Sequence, residues 1–183
     1  MKSELTMGSL FSGSGGFELA GSIFGLEPLW ASEIEPFPIM VTATNFPEME
    51  HLGNISKLDG GKIAKTTVIA GGSPCQDMSI AGKREGLDGS RSNLFREQIR
   101  IVKEMRQSDR EAGRTGKHIR PRFMVWENVP GAYSSNKGED FKCVLEEICQ
   151  IAEPDVSIPR PPKGKWGARS NHGRWVLSRL ANT

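Results

Sequence analysis

The stretch MGSLFSGSGGF, residues 7–17, decides the fold of this chain. Met7–Phe11 is an apolar run typical of a buried strand, and Gly13–Gly16 predicts a tight turn. In the next segment, Phe17–Phe24, apolar residues recur at a helix-like spacing, and Gly25 can cap that helix. A strand, a glycine turn and a helix in this order predict the first unit of an α/β sheet.

The same alternation continues along the chain. Further strands are predicted at Leu29–Ile34, Thr66–Ala70 and Phe123–Trp126, and further helices at Pro36–Asn45, Leu94–Met105 and Phe141–Ile151. Few hairpin signals interrupt them, which favours an open, mostly parallel sheet with helices on both faces. The polar stretch Gln107–Pro121 is expected to be an exposed insertion, and no element is predicted after Glu153.

Length and composition exclude several classes of protein. The chain has 183 residues and a net charge of +2, within the range of an ordinary globular domain. It has no apolar run of the roughly 20 residues needed to cross a bilayer, and residues 1–6 do not resemble a signal peptide. Three cysteines are too few for a disulfide framework, so a cytoplasmic location is expected.

The small net charge conceals large local charges. Residues 1–95 carry −4, residues 96–122 carry +5, residues 123–158 carry −5 and residues 159–183 carry +6. Clustered Lys and Arg can neutralise phosphates whatever the total charge, although a solvated surface is an equally good interpretation.

Polar and glycine residues follow each predicted strand, at the edge where ligands bind in parallel sheets. Gly13 and Gly15 let a ligand approach the backbone closely, and Glu33, roughly 20 residues later, is placed to accept hydrogen bonds from ribose hydroxyls. Together they indicate a cofactor that contains adenosine. The turn departs from the Gly-x-Gly-x-x-Gly pattern of dinucleotide-binding proteins, which makes NAD a weaker alternative.

Two further side chains at this edge carry chemistry. Cys75 lies in a Gly/Ser-rich loop after a strand, where a thiolate can act as a nucleophile. Glu127 follows Phe123–Trp126, where partial desolvation of the carboxyl would favour a role as a proton donor. Cys143 and Cys149 lie in a predicted helix and are expected in the core, and no Cys or His spacing indicates a metal site.

Five segments in this order resemble the DNA (cytosine-5)-methyltransferase family, in the style of its phage and bacterial restriction–modification and orphan members. The segments are FSGSGGF at 11–17, SEIE at 32–35, GGSPCQ at 71–76 running on to Gly82, SRSNLF at 90–95, and ENV at 127–129. The resemblance covers about residues 7–150 and implies a Rossmann-like methyltransferase fold that uses S-adenosylmethionine as cofactor and double-stranded DNA as partner.

The resemblance also assigns roles to single residues. The cofactor site would comprise Phe11, Gly13, Gly15, Glu33, Ile34, Asn54, Ile55 and Leu94. Asn54 stands where the family often has Asp, so that contact would lack a charge. The catalytic residues would be Pro74, Cys75 as nucleophile, Glu127 at the base and Asn128 as a support of the cysteine loop. Contacts with DNA would come from Gln76, Ser79, Lys83 and Arg91.

The family's later Gln-x-Arg-x-Arg segment, target-recognition region and final Asn-Ser segment have no counterpart here. We therefore expect a C-terminally incomplete enzyme: a catalytic domain over 1–152 and a basic, Pro-rich, poorly ordered tail over 153–183. Such a chain would be weak or inactive without a missing half or second polypeptide, in a bacterial or phage-infected cell. The alternatives are a non-catalytic remnant that binds S-adenosylmethionine or DNA, and an unrelated nicotinamide-dependent oxidoreductase.

Overall fold

Five parallel strands form one sheet in the order β3-β2-β1-β4-β5. The computed structural model describes residues 5–73, 93–129 and 138–158. The strands are β1 (Thr6–Leu10), β2 (Glu27–Ser32), β3 (Glu50–His51), β4 (Val68–Gly71) and β5 (Phe123–Trp126). The helices are α1 (Gly16–Ile23), α2 (Pro36–Asn45), α3 (Asn93–Glu111) and α4 (Glu139–Cys149), with short 3₁₀ helices at Ile55–Lys57 and Gly116–His118. The predicted fold class is confirmed.

The main hydrophobic core lies between the sheet and helices α3 and α4. Ile69, Met124 and Trp126 point into it from neighbouring strands, and all are nearly inaccessible to solvent. The Trp126 ring packs edge-on against Phe95 of α3, with 6.1 Å between centroids, and stacks on Phe141 of α4. Side chains alternate between the faces of a strand, so Met7 and Ser9 of β1 point to the opposite face, towards α1.

Helix α1 packs on the sheet through an unusually polar side. Glu18 is its buried residue, and a Cβ atom on Gly21 would lie only 2.1 Å from Met7 Sδ, so the helix sits directly on β1. Leu19, Ile23 and Phe24 are 58%, 71% and 80% exposed. The apolar spacing therefore predicted the helix correctly, but these side chains do not face the sheet.

The predicted insertion at Gln107–Pro121 is only partly correct. Helix α3 continues through its first residues to Glu111, and Asp109, Ile119 and Pro121 are buried. The segment is buried because Asp109 holds it: Asp109 Oδ2 accepts hydrogen bonds from the backbone N and the Nε of Arg120 at 2.8 and 3.0 Å. This contact folds the segment back onto the helix.

Other boundaries agree closely with expectation. Helix α2 and strand β5 have the predicted limits, and Gly25, at φ 78°, follows the end of α1 as expected for a helix cap. Strand β3 was not predicted, because two residues carry no periodicity. Within the described residues, no helix is long and apolar enough to cross a membrane.

Candidate active site

The register of the sheet brings the predicted site residues to one edge. Leu10 pairs with Ser32 of β2 and with Gly71 of β4, and Gly71 pairs with Trp126 of β5. The residues that follow these four strand ends are Phe11, Glu33, Gly72 and Glu127. Because the strands are parallel, all four lie at the carboxyl edge of adjacent strands, where α/β proteins bind ligands.

The glycine turn has the left-handed backbone that its sequence predicts. Gly13 and Gly15 have φ values of 55° and 92°, and Phe11 also has a positive φ of 55°, which is uncommon for a residue with a side chain. A Cβ atom on Gly15 would lie 3.0 Å from Thr42 Cγ2 of α2, whereas one on Gly13 would meet nothing within 4 Å. Gly15 thus fits against α2, and Gly13 borders open space.

Glu33 ties the ends of β1 and β2 together. Its Oε2 accepts a hydrogen bond from the backbone N of Gly13 at 2.9 Å. Its Oε1 accepts from the backbone N atoms of Ile34 and Glu35 at 2.7 and 3.0 Å. The carboxyl group is therefore held in place by three backbone donors, beside the glycine turn.

The other predicted cofactor residues differ in accessibility. Ile34 is 62% exposed and free to contact a ligand. Asn54 is exposed, and its Oδ1 accepts from Ser56 N at 2.9 Å, so it caps the short helix Ile55–Lys57. Ile55 is 3% exposed and belongs to the hydrophobic core, and Leu94 packs against that core. The side chain of Ile55 is thus turned away from solvent and into the hydrophobic core.

Glu127 lies directly over the backbone of Gly72. A Cβ atom on Gly72 would be 2.5 Å from Glu127 Oε2, and Glu127 N donates to Gly71 O at 3.0 Å. The expectation that Glu127 is partly desolvated is wrong: the residue is exposed, because it projects beyond the end of β5. Asn128 is half-buried, and its Oδ1 accepts from Val129 N at 2.8 Å.

Several predicted residues lie outside the described part of the chain. These are Pro74, Cys75, Gln76, Ser79, Lys83 and Arg91, together with the tail from residue 159 onward. The described segment ends at Ser73, two residues before Cys75, and Ser73 itself is 3% exposed. The chain therefore leaves β4 towards Cys75 from a point beside Glu127.

The sequence did not single out Glu18, which lies under the glycine turn. It is 1% exposed, and its Oε1 accepts a hydrogen bond from Ser9 Oγ. Burial raises the pKa of Glu18 above its usual 4.5, although the bond from Ser9 acts in the opposite direction. A carboxylic acid within an otherwise apolar helix, just after a glycine turn, was the signal that could have found it.

Many basic residues of the +5 segment at 96–122 are committed to internal contacts. Arg100 binds Glu97 and Glu104 at 2.6 and 2.9 Å. Arg106 is fully buried and donates to Pro121 O at 2.8 Å, and burial lowers its pKa to about 10. Arg120 binds Asp109. These three cations stabilise the fold, which weakens the interpretation of this segment as a surface for phosphates.

The remaining cysteines and candidate ligands suggest no second centre. Cys143 and Cys149 are half-buried on α4, and burial raises the pKa of both thiols, which disfavours the reactive thiolate. Among the residues that the structure describes, no group of three or more His, Cys, Asp or Glu side chains could hold a metal ion.

The chain is similar to DNA methyltransferases over most of its length. A protein of Escherichia phage P1 named DNA N-6-adenine-methyltransferase is 36% identical over 169 residues, covering 90% of this chain and 22% of that protein. An orphan methyltransferase of Bacillus phage rho11s is 33% identical over 153 residues, covering 81% of this chain and 28% of that protein.

A solved structure supports the same relationship. A DNA modification methyltransferase encoded within an Escherichia coli prophage is 27% identical with a TM-score of 0.58, covering 79% of this chain and 38% of that chain. The chain thus spans from about a fifth to two fifths of the length of these relatives. The profile of one family, described as C-5 cytosine-specific DNA methylase, matches residues 5–151, and this chain belongs to that family.

Proposed function

We propose that this chain is the catalytic part of a DNA cytosine-5 methyltransferase, with Cys75 as nucleophile and Glu127 as its partner at the base. The observation that carries the proposal is the position of Glu127 over Gly72. The segment Gly71–Ser73 leads directly to Pro74 and Cys75, so the carboxyl stands at the root of the cysteine loop. Asn128, beside it, is proposed to support that loop.

The chemistry of cytosine explains why both groups are needed. Carbon 5 is a poor nucleophile, and addition of the Cys75 thiolate to carbon 6 makes it electron-rich. Glu127 assists by hydrogen-bonding or protonating ring nitrogen 3, and its exposure leaves it accessible to a base turned out of the duplex. After methylation, loss of the proton on carbon 5 and departure of Cys75 restore the aromatic ring.

The carboxyl edge of the sheet fits S-adenosylmethionine, which supplies an electrophilic methyl group when bound. The backbone N–H groups at the start of α1 suit a carboxylate, and the open space beside Gly13 leaves room for a ligand. The Glu33 carboxyl is fixed by backbone donors and suits ribose hydroxyls, and exposed Ile34 suits the adenine ring. The other residues of the proposed site are Phe11, Gly15, Asn54 and Leu94. The side chain of Ile55 is buried, so Ile55 would contribute through its backbone or by its packing in the core.

The relative from phage P1 raises a second candidate, methylation of adenine N6. That reaction uses the exocyclic amine of the base as nucleophile and has no need of a cysteine. This chain covers only 22% of the P1 protein, so the adenine methylation in that protein's name can belong to the part that this chain does not match. The motif around Cys75 and Glu127 favours cytosine.

Mass spectrometry of the modified nucleosides separates these two reactions. We expect DNA incubated with S-adenosylmethionine, the chain and the part of the Bacillus phage rho11s relative that the chain does not match to gain 5-methylcytosine, and the Cys75→Ser variant to form none under the same conditions. Formation of N6-methyladenine that is insensitive to Cys75→Ser would contradict the proposal and support the second candidate.

We also propose that sequence recognition on double-stranded DNA comes from protein beyond these 183 residues. The relatives are about 2.6 to 4.5 times longer than the stretch they share with this chain. Contacts from Gln76, Ser79, Lys83 and Arg91 would then serve the flipped base and nearby phosphates. Both relatives come from bacteriophages, which suggests that this chain acts in the cytoplasm of an infected bacterium.

A further inference from the structure

A row of side chains crosses the sheet beneath helix α1. Ser9 of β1 pairs with Ala31 of β2, and Ala31 pairs with His51 of β3. Paired residues in neighbouring parallel strands point to the same face, so these three side chains share the face that carries α1. Glu18 descends from α1 onto this row, and its Oε1 accepts a hydrogen bond from Ser9 Oγ.

Three polar atoms around this row have no hydrogen-bond partner among the described residues. They are Glu18 Oε2 and both ring nitrogens of His51, and all three are buried. Glu18 and His51 also interact electrostatically, in the sense that lowers the pKa of Glu18. Only the methyl group of Ala31 separates Ser9 from His51 in the row. Buried polar groups that lack a protein partner are commonly satisfied by an ordered water molecule.

We propose that Glu18 and His51 are joined through one buried water molecule, and that this link positions the glycine turn Gly13–Gly16 and the segment Gly53–Asn54, both of which belong to the proposed S-adenosylmethionine site. The inference rests on the cofactor site proposed above. Glu18 Oε2 lies 3.9 Å from the place where a Cβ atom of Gly15 would be, so the carboxyl supports the glycine turn from below. His51 lies two residues before Gly53, whose carbonyl accepts from Ser32 Oγ at 2.7 Å.

The link therefore connects β1, α1 and β3 next to the glycine turn and to the segment Gly53–Asn54. Gly15 has a left-handed backbone and packs between Thr42 of α2 and the Glu18 carboxyl, so a change at Glu18 reaches the turn directly. Glu18 and His51 are positioning residues in this account: they act through the backbone of the proposed cofactor site and not on the cofactor itself.

A double-mutant cycle tests the link in the full chain. Affinity for S-adenosylhomocysteine is measured by calorimetry, and amide hydrogen exchange is measured at Gly15 and Leu19. We expect Glu18→Ala and His51→Ala each to weaken binding about tenfold, and the double variant to weaken it about tenfold rather than a hundredfold. Glu18→Gln, which keeps the hydrogen bonds, should bind within about threefold of the wild type. Ser9→Ala leaves Glu18 Oε1 without its donor and should speed exchange at Gly15.

A matched control separates positioning from general destabilisation. Asp109→Asn removes another buried carboxylate, on α3 and away from the carboxyl edge, and should lower Tm without changing the affinity. Additive effects of Glu18→Ala and His51→Ala, or unchanged affinity in both, would overturn the link. Failure of the wild-type chain to bind S-adenosylhomocysteine would instead overturn the cofactor site on which the link rests.

Discussion

Single atoms at the ends of the strands organise this site. The Glu33 carboxyl accepts three backbone N–H groups, one of which belongs to Gly13 of the neighbouring turn. Gly72 leaves open the space that Glu127 fills. Sequence reasoning identified Glu33 and Glu127 from their positions after strands, but it could not show that backbone groups hold the first or that the second stays exposed.

Gly72→Ala tests the position of the Glu127 carboxyl. The new methyl group would lie 2.5 Å from Glu127 Oε2, so the carboxyl must swing away. We expect methyl transfer to fall about a hundredfold, the effect of a displaced catalytic group, with little loss of stability. Gly61→Ala is the control, since its methyl group meets Asp59 Oδ1 at 3.0 Å and lies far from the site. A folded Gly72→Ala variant with full activity would refute the role of Glu127.

Glu18→Gln tests the protonation of the buried carboxyl. Burial raises the pKa of Glu18 in the folded state above 4.5, so the folded chain binds this proton more tightly than the unfolded chain. The stability that this proton provides is present at low pH and is lost as the pH rises from 4.5 through the folded pKa. Urea unfolding at several pH values should show that, over this range, the free energy of unfolding of Glu18→Gln rises relative to that of the wild type. Parallel profiles would contradict the assignment.

Helix α3 shows where reasoning at the level of elements succeeds and fails. The apolar spacing predicted its first half, because those residues pack against the sheet. Its second half was assigned to an exposed insertion because it is polar, and there the burial comes from ion pairs and hydrogen bonds that a sequence pattern does not reveal. Helix α1 shows the opposite error, because its apolar spacing suggests burial and yet several of these residues face solvent.

Arg120→Ala tests the contact that closes this segment. Asp109 is 3% exposed and depends on Arg120 for its hydrogen bonds. Removing the guanidinium should lower the free energy of unfolding by about 2 kcal/mol. Lys62→Ala is the control, because its pair with Asp59 is exposed to solvent and should contribute far less to the free energy of unfolding. Equal effects in urea unfolding would contradict this account.

The same contact predicts a loss of stability in acid. Burial acts to raise the pKa of Asp109, but hydrogen bonds and charge from Arg120 outweigh it and hold the pKa below 3.8. The stability contributed by this carboxylate is present above that value and disappears as the pH falls through the folded pKa. Arg120→Ala should therefore be less sensitive to acid than the wild type in urea unfolding below pH 4. Equal sensitivity would refute the role of the pair.

At the scale of the whole molecule, an open parallel sheet carries the proposed site on its carboxyl edge, and several apolar side chains on and next to helices α1 and α2 are exposed. Leu19, Ile23 and Phe24 of α1 and Phe37 and Met40 of α2 are all more than half exposed. The open parallel sheet, with the predicted site residues at its carboxyl edge, followed from the alternation of strands, glycines and carboxylates along the sequence, but the strand order was not predicted. The exposure of these apolar side chains was not predicted, because the periodicity of a sequence does not tell which side of a helix meets the sheet.

Covalent trapping on duplex DNA that contains 5-fluorocytosine tests the central claim most directly, since fluorine cannot leave carbon 5 as a proton does and the cysteine stays attached. The chain is tested in the presence of S-adenosylmethionine, alone and with the part of the Bacillus phage rho11s relative that it does not match. The account predicts a denaturation-resistant protein–DNA adduct with the wild type in at least one of these conditions, and none with Cys75→Ser. An adduct that persists in Cys75→Ser, or its absence with the wild type under both conditions, would contradict the account.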